Sequence, residues 1–434
     1  LISTPAELHR GQILRPLILL LACGSLLLML LTAVARATEP ELIITDEDSY
    51  DLTPFITLLE DPKGTLTIDD IVTPEYSSQF KPSEQSYLNF GYSDSTYWIK
   101  LNLRYVPTRK RHPDTTHWFF EAGKSQLNVS EFYSKAADGK YEGIQADIRI
   151  PYAERPMRMV TSIFPITTHR DETYTYYLKI SNNSAFYVPL KLWKSAEFTR
   201  KTAREEFLYG IFYGGMIIII LYNIFLYISI RELSYIYYVG YLISASVFEI
   251  VDMGRGAAIF DSGLKWFNKE YIPVAIWFTW LGACAFTRHF LELSWRHPLI
   301  DSVLKPLFVF SALCTFSCIF MPFKLSLYFS VHFCGYMVSA LPLIGAYAWY
   351  SGIRNASFFT IAWIFNTLGF VLLSTVATGR APATPLFIAA MPAGTLLEAA
   401  LLSFALAERM KRAQKDALEA NHRSMQHMAG YRSI

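Results

Sequence analysis

Seven apolar stretches, each close to the length of a bilayer-crossing helix, fill the C-terminal half of this 434-residue chain, over about 207–230, 234–253, 271–291, 304–322, 325–348, 357–378 and 386–407. A hydrocarbon core needs about 20 apolar residues of helix to span it. Inside lipid such a segment must satisfy its own backbone N–H and C=O groups, which an isolated strand cannot do. The chain is 52% hydrophobic and 18% charged, against about 25% charged for a soluble domain. Because the apolar excess is concentrated in these stretches, a single soluble globule is excluded. A net charge of +2 gives no footprint for a nucleic-acid partner, and the lipid bilayer is the first partner the sequence implies.

The N-terminus has the order of a secretory signal. His9, Arg10 and Arg15 precede an apolar run from Pro16 to Thr32, and Ala33, Ala35 and Ala37 follow at A-x-A spacing. Residues 1–37 are therefore expected to be a signal peptide cleaved after Ala37, with an uncleaved anchor as the alternative.

Residues 38–200 change character and read as an exported β-sandwich. Ile99, Leu101, Leu103 and Tyr105 alternate with Trp98, Lys100, Asn102 and Arg104. The same period of two recurs over Tyr174–Ile180 and over Phe186–Trp193, with weaker strands near 117–120, 127–133 and 160–165. None of the five cysteines lies between residues 38 and 204, so this part must hold together without a disulfide. The fold class expected is an all-β jelly-roll-like sandwich followed by an all-α seven-helix transmembrane bundle over 205–408.

Seven spans put the chain's two ends on opposite sides of the membrane. One side would carry Arg231, Arg288, Arg296, Lys305, Arg354, Arg409, Lys411, Arg412 and Lys415, and the other Arg255, Lys265, Lys269, Lys324 and Arg380. This asymmetry places the sandwich in the periplasm and the C-terminus in the cytoplasm of a cell with an inner membrane. From Glu408 to about Met428 the chain stays helical in composition and free of proline, with Met410, Ala413, Ala417 and Ala420 at a 3–4 spacing, and residues 409–434 are taken together. They read as a cytoplasmic helical linker, the start of a signalling helix, or as a solvated tail.

Enzyme signatures are missing. The sequence has no H-E-x-x-H motif, no phosphate-binding P-loop, no lysine in the seventh segment to hold a retinal, and no metal-ligand or cofactor spacing. Gly254-Arg255-Gly256 lacks a third glycine and carries no phosphate-loop meaning. The residues past 408 are too few for a kinase or cyclase domain. The chain is read as not an enzyme, with no cofactor and no metal.

Polar residues inside the spans are the candidate relay: Asn223, Glu249, Asp252, His332 and Glu398, with Asn366 and Ser374 as further interhelical donors. A carboxylate at the bilayer centre costs about 2.5–3.5 kcal/mol on insertion scales, so Glu398 must face the bundle, either as a polar switch or as a hydrogen-bonded packing element. In the exported part Trp98 sits on the polar side of its strand, where it is either covered or open as a stacking platform. Tyr97, Trp98, Trp118 and Phe120 are the candidate ligand-binding residues, suited to a carbohydrate or another small ligand. The acidic stretch 39–75 has eleven carboxylates against Lys63 alone but no EF-hand spacing, and reads as solvated. A membrane transporter or permease with an exported β domain is the alternative reading, although such a protein would show more midplane charge and a repeated half.

Several short motifs together resemble a known family, the bacterial seven-transmembrane receptors with diverse intracellular signalling modules. In the exported part they are Asn89-Phe90-Gly91-Tyr92, Tyr97-Trp98-Ile99-Lys100-Leu101, Ile163-Phe164-Pro165-Ile166 and Pro189-Leu190-Lys191-Leu192-Trp193. In the membrane part they are Leu221-Tyr222-Asn223 through Tyr227, Arg231-Glu232, Tyr235-Ile236-Tyr237-Tyr238, Phe286-Thr287-Arg288-His289-Phe290-Leu291, Leu397-Glu398-Ala399 and Ser403 through Arg409. The resemblance implies a jelly-roll-like sensor for carbohydrate or other small ligands. It also implies a seven-helix relay to a cytoplasmic output, in cis or in trans, such as a histidine kinase or diguanylate cyclase. A second copy of the chain is a further candidate partner. The chain departs from the family pattern in carrying no output domain, so a truncated chain, or action through a partner protein, is expected.

Overall fold

The structure is a computed structural model that describes residues 40–108, 114–260, 269–353 and 355–432. The expected signal segment, residues 1–37, lies outside the described residues.

Eleven strands among the described residues build a two-sheet sandwich. They are β1 (Glu41–Ile44), β2 (Ser49–Asp51), β3 (Ile56–Asp61), β4 (Lys81–Pro82), β5 (Thr96–Tyr105), β6 (Thr115–Ser125), β7 (Val129–Lys135), β8 (Tyr141–Gln145), β9 (Thr161–His169), β10 (Thr173–Ser181) and β11 (Leu190–Lys194). One sheet runs β4-β3-β5-β10-β7-β8, and β1 adds to it by pairing with the end of β5; the other runs β2-β11-β6-β9. All pairings are antiparallel except β1 with β5.

Alternation decides what each face meets. Ile99, Leu101, Leu103 and Tyr105 of β5 enter a core completed by Trp118, Phe120 and Phe164 of the second sheet and Phe132 and Leu178 of the first. Phe186 and Val188 are buried as their spacing implies, but the strand proper starts only at Leu190. Pro189 has no N–H to give a ladder at that point.

Trp98 points to the other face of its sheet and is covered there. It is 0% exposed and packs in a small cluster with Leu59, Ile71 and Tyr177, flanked by Tyr76, Phe80 and Tyr133. The cover comes from the segment between β3 and β4, whose helical turn Ile68–Ile71 is started by a reciprocal Thr67–Asp70 cap.

Seven long helices follow among the described residues: α1 (Ser195–Ile230), α2 (Leu233–Asp252), α3 (Ile272–Phe290), α4 (Pro298–Ser317), α5 (Phe323–Tyr350), α6 (Ala356–Ala377) and α7 (Pro385–Arg432). Six of them, all but α3, are long and apolar enough to cross a membrane. Their apolar side chains fall into two sets. Tyr235, Tyr238, Leu242, Phe286, Leu341 and Trp363 are among those forming a buried core, whereas Phe207, Ile218, Phe225, Leu313, Phe316, Tyr336 and Leu343 stay exposed. A helical unit with an apolar exterior suits a hydrocarbon solvent.

Two features set up the site. Helix α1 starts at Ser195, the residue after β11 ends, so the boundary expected near 200–205 falls inside a continuous helix. Helix α7 has 48 residues, about 72 Å at 1.5 Å per residue, well over twice the hydrocarbon thickness. Its apolar first half packs along α6 at two close approaches. A Cβ added at Gly369 would meet Ala390 O at 2.6 Å, and one at Gly394 would meet Phe365 O at 2.7 Å. Small residues at such positions let membrane helices bring their backbones together.

Candidate functional site

The sandwich rests on the ends of two helices that terminate in the same way. Helix α2 closes with Val251-Asp252-Met253-Gly254-Arg255 and α6 with Val376-Ala377-Thr378-Gly379-Arg380. Gly254 and Gly379 take left-handed backbone, with φ of 69° and 76°. In each turn the glycine N–H returns to the valine carbonyl, and the arginine N–H returns one residue further back, to Ile250 or Thr375. This is the glycine-terminated helix cap, which satisfies carbonyls that would otherwise be orphaned.

An amide from the sandwich reaches the same valine carbonyl in both turns. Gln126 Nε2 donates to Val251 O at 2.7 Å, and Asn89 Nδ2 donates to Val376 O at 2.6 Å. Gln126 itself has a φ of 57° and lies in the turn between β6 and β7. Asn89 is oriented by accepting the Gly91 N–H on its Oδ1 at 2.8 Å. Tyr87 adds a bond from its hydroxyl to Gly379 O at 3.2 Å, and Tyr187 packs with Val376 and Ala381. Helix α5 ends with a related turn at Gly352, but a Cβ there would meet nothing within 4 Å.

Three other contacts complete the junction. Glu121 on β6 accepts from Trp193 Nε1 at 2.7 Å and from Lys201 Nζ of α1 at 2.6 Å, while Phe198 of α1 packs on Trp193 and Ile163. Asp94 and Lys324, at the start of α5, form an ion pair. Lys269, in the turn before α3, is 2% exposed and donates to Asn128 Oδ1 at 2.6 Å and Asn182 Oδ1 at 2.7 Å. Burial, reinforced by the field of Lys124, pulls its amine down to about 7.

Deeper in the bundle, α2 and α6 converge on one residue of α7. Glu398 is 0% exposed. The Tyr241 hydroxyl of α2 lies 2.8 and 2.7 Å from its two carboxylate oxygens, and Asn366 Nδ2 of α6 donates to Oε2 at 2.8 Å. Tyr241 is held by a close approach of α3, because a Cβ at Gly282 would meet Tyr241 Cα at 2.9 Å.

Around this node α2 and α7 form a ladder. Thr395 donates to Glu249 at 3.4 Å, Tyr238 to Ala399 O, Tyr235 to Leu406 O at 3.3 Å, and Arg409 to Ser234 at 3.4 Å. Tyr235, Tyr238 and Tyr241 are three residues apart and so share a helix face. Asn223 of α1 donates to Ser403 at 3.0 Å, one turn of α7 beyond Ala399.

At the end far from the sandwich, Arg409 ties α7 to two loops. Its guanidinium reaches Glu232 at 3.1 Å, Glu292 at 2.9 Å and Phe290 O at 2.9 Å. A cavity of about 450 Å³ opens beside it, lined by Arg231, Glu232, Arg288, His289 and Arg409 among others.

The residues expected from sequence sort unevenly. Glu398, Asn223, Asn366 and Glu249 lie on one set of interhelical contacts. Asp252 stands in the capped last turn of α2, within the field of Lys124. His332 is not part of the network: its ring is exposed and bonds to Tyr328 O of its own helix at 2.7 Å. Ser374 contributes its carbonyl, which takes the Thr378 N–H. Trp98, Trp118 and Phe120 are each at most 1% exposed, so of the two readings of Trp98 the structure has the covered one, and the three side chains offer no open stacking surface. Of the four, Tyr97 alone stays half-buried, stacked on Phe90 at 3.8 Å. Gln126 and Tyr241 carry no mark in the sequence, and Asn89, Lys269, Tyr235 and Tyr238 stand out there only as parts of family-like motifs or of the charge asymmetry, not as contact residues.

Comparison with protein families agrees with this division. The family described as 7TMR-DISM extracellular 2 matches residues 53–194, and that described as 7TM diverse intracellular signalling matches residues 205–409. No curated protein matches the chain. With both models matched in order along most of its length, the chain belongs to the seven-transmembrane receptors with diverse intracellular signalling modules, as a multi-pass transmembrane sensory receptor with an extracellular N-terminal sensor.

Proposed function

We propose that this receptor senses a periplasmic ligand and passes the event to Glu398 through α2 and α6, and from there along α7 to a cytoplasmic output. The observation that carries the reading is the double convergence. The two helices whose outer ends are capped by sensor amides are also the two that grip Glu398, through Tyr241 and Asn366. A shift of the sensor that loosens either cap frees the end of a helix whose middle holds α7. Ligand binding then biases an equilibrium between two arrangements of these contacts, by no more than its differential affinity for them.

The ligand class fits a carbohydrate or another small polar molecule arriving at the half-buried Tyr97–Phe90 pair. Phe90 adjoins Asn89 in the loop between β4 and β5, so pressure on the ring moves the cap directly. The output, a histidine kinase or a diguanylate cyclase, acts in cis or in trans, and a second copy of the chain is the natural partner for an emergent helix. The protein resides in the inner membrane with the α7 tail inside the cell. Arg409, with Lys411, Arg412 and Lys415 just beyond it, supports that orientation by charge.

Hydrogen exchange of the whole chain in lipid nanodiscs tests the relay. The Asn89→Ala/Gln126→Ala double variant should raise exchange at the outer ends of α2 and α6 and also around Glu398 and past Glu408. Faster exchange confined to the helix ends, with α7 unchanged, would refute it. Reporter fusions placing the sensor and the α7 tail on the same side would refute the orientation.

A further inference from the structure

Glu249 is the buried group of the bundle whose surroundings the relay does not explain. It stands on α2 about two turns outward of Tyr241 and is 1% exposed. Its Oε1 takes one long bond, from Thr395 of α7 at 3.4 Å. Its Oε2 is buried with no hydrogen-bond partner among the described residues. The Tyr213 hydroxyl of α1 is likewise buried without a hydrogen-bond partner among the described residues, and Glu249 acts on it electrostatically.

No described basic side chain answers this carboxylate. Arg255 is committed to Glu206 at 2.8 and 3.0 Å and stacks on the Tyr209 ring at 3.6 Å. Lys124 lies over the Tyr187 ring at 4.3 Å and acts on Asp252, while Asp252 adds a second negative field at Glu249. Burying an unpaired carboxylate without further hydrogen bonds is costly.

A proton on Oε2 would also remove the charge, and its signature is a dependence on pH with no dependence on the cation. A metal cation removes the charge and uses the lone pairs that stand idle. The atoms on offer are all oxygens, the donor set of hard cations. One carboxylate with two hydroxyls balances a single positive charge.

We propose that Glu249, Thr395 and Tyr213 form a binding site for a monovalent cation of sodium type where α1, α2 and α7 meet near their outer ends. The ion joins α7 to α1 and α2 at Thr395, the residue that also takes a bond from Asn366 at 3.4 Å. Occupancy therefore favours the arrangement in which Glu398 is gripped. The site stands on its own contacts and needs no particular ligand at the sensor.

The test is radioactive sodium binding to the whole chain in nanodiscs, together with thermal unfolding in sodium, potassium or N-methyl-glucamine chloride at one ionic strength. Saturable sodium binding and a saturable rise in Tm that N-methyl-glucamine does not reproduce are expected. Glu249→Gln should weaken sodium binding by about tenfold or more. If that variant does not fold, Tyr213→Phe, which removes one oxygen only, should still shift the binding midpoint. Non-saturable binding, a Tm indifferent to the cation, or unaltered binding in a folded variant would overturn the site. So would stabilisation that follows pH alone, which would assign a proton instead.

Discussion

Asn89 Nδ2 of the sensor donates to Val376 O in the last turn of α6 at 2.6 Å, while Asn89 Oδ1 holds the Gly91 amide at 2.8 Å. Both ends of one amide are therefore in use, one across the junction and one within the sensor loop. Asn89→Ala should cost about 1–3 kcal/mol, since it removes two hydrogen bonds each worth about 0.5–1.5 kcal/mol net. Asn89→Asp should cost more, because a carboxylate replaces a donor at the negative end of a helix. Gln126→Ala should cost no more than Asn89→Ala, and the two should add, since they cap different helices. Thermal unfolding of the whole receptor checks both, with hydrogen exchange at the ends of α2 and α6 to localise the effect.

Replacing Glu398 separates charge from shape. Glu398→Gln keeps an oxygen for Tyr241 or Asn366 and should be mild. Glu398→Leu strands the Tyr241 hydroxyl and the Asn366 amide in the core, at about 1–3 kcal/mol for each orphaned group. A cycle with Tyr241→Phe should give a coupling of about 0.6 kcal/mol, and no more than about 1.7. A zero coupling would show that the contact is not maintained.

The backbone approach of α6 to α7 gives a steric prediction. Gly394→Ala places a methyl group 2.7 Å from Phe365 O and should destabilise by about 1–3 kcal/mol, separating α7 from Asn366. Gly210→Ala is the control, because nothing lies within 4 Å of its Cβ position; it should be neutral or stabilising by up to about 1 kcal/mol through helix propensity. Denaturation in matched detergent distinguishes the two.

Lys269 makes the junction sensitive to pH. Its amine titrates near 7 when docked against an ordinary value of about 10.4. Between these limits the undocked chain binds a proton that the docked one has released, so docking strengthens as pH rises from about 7 to 10 and is flat below 7. Lys124 and Glu270 also act on this amine. Lys269→Gln should flatten the slope in that window, as read by thermal unfolding across pH.

The sequence carries the outline well because its signals are periodic. Apolar runs mark α1 to α7, and alternation marks β5 and β10, since one buried face leaves a local record. It also shows Trp98 on the wrong side of β5. It does not show the cover, because Tyr76, Phe80, Tyr133 and Tyr177 come from separate parts of the chain. Glu398 and Asn366 stand out as polar residues in apolar runs. The caps stay hidden although Val-x-x-Gly-Arg occurs at the end of both α2 and α6. Gly254-Arg255-Gly256 has meaning as a helix stop rather than as a phosphate loop, and only the approach of Gln126 from the β6–β7 turn reveals its use.

The absence of any spacer between Lys194 and Ser195 has a mechanical consequence. A sandwich welded to one shaft and pinned by amides to two others cannot drift away as a free body. Losing one amide leaves the weld, the other amide and the contacts of Lys269 and Lys324 in place, so the sandwich tilts about them instead of detaching.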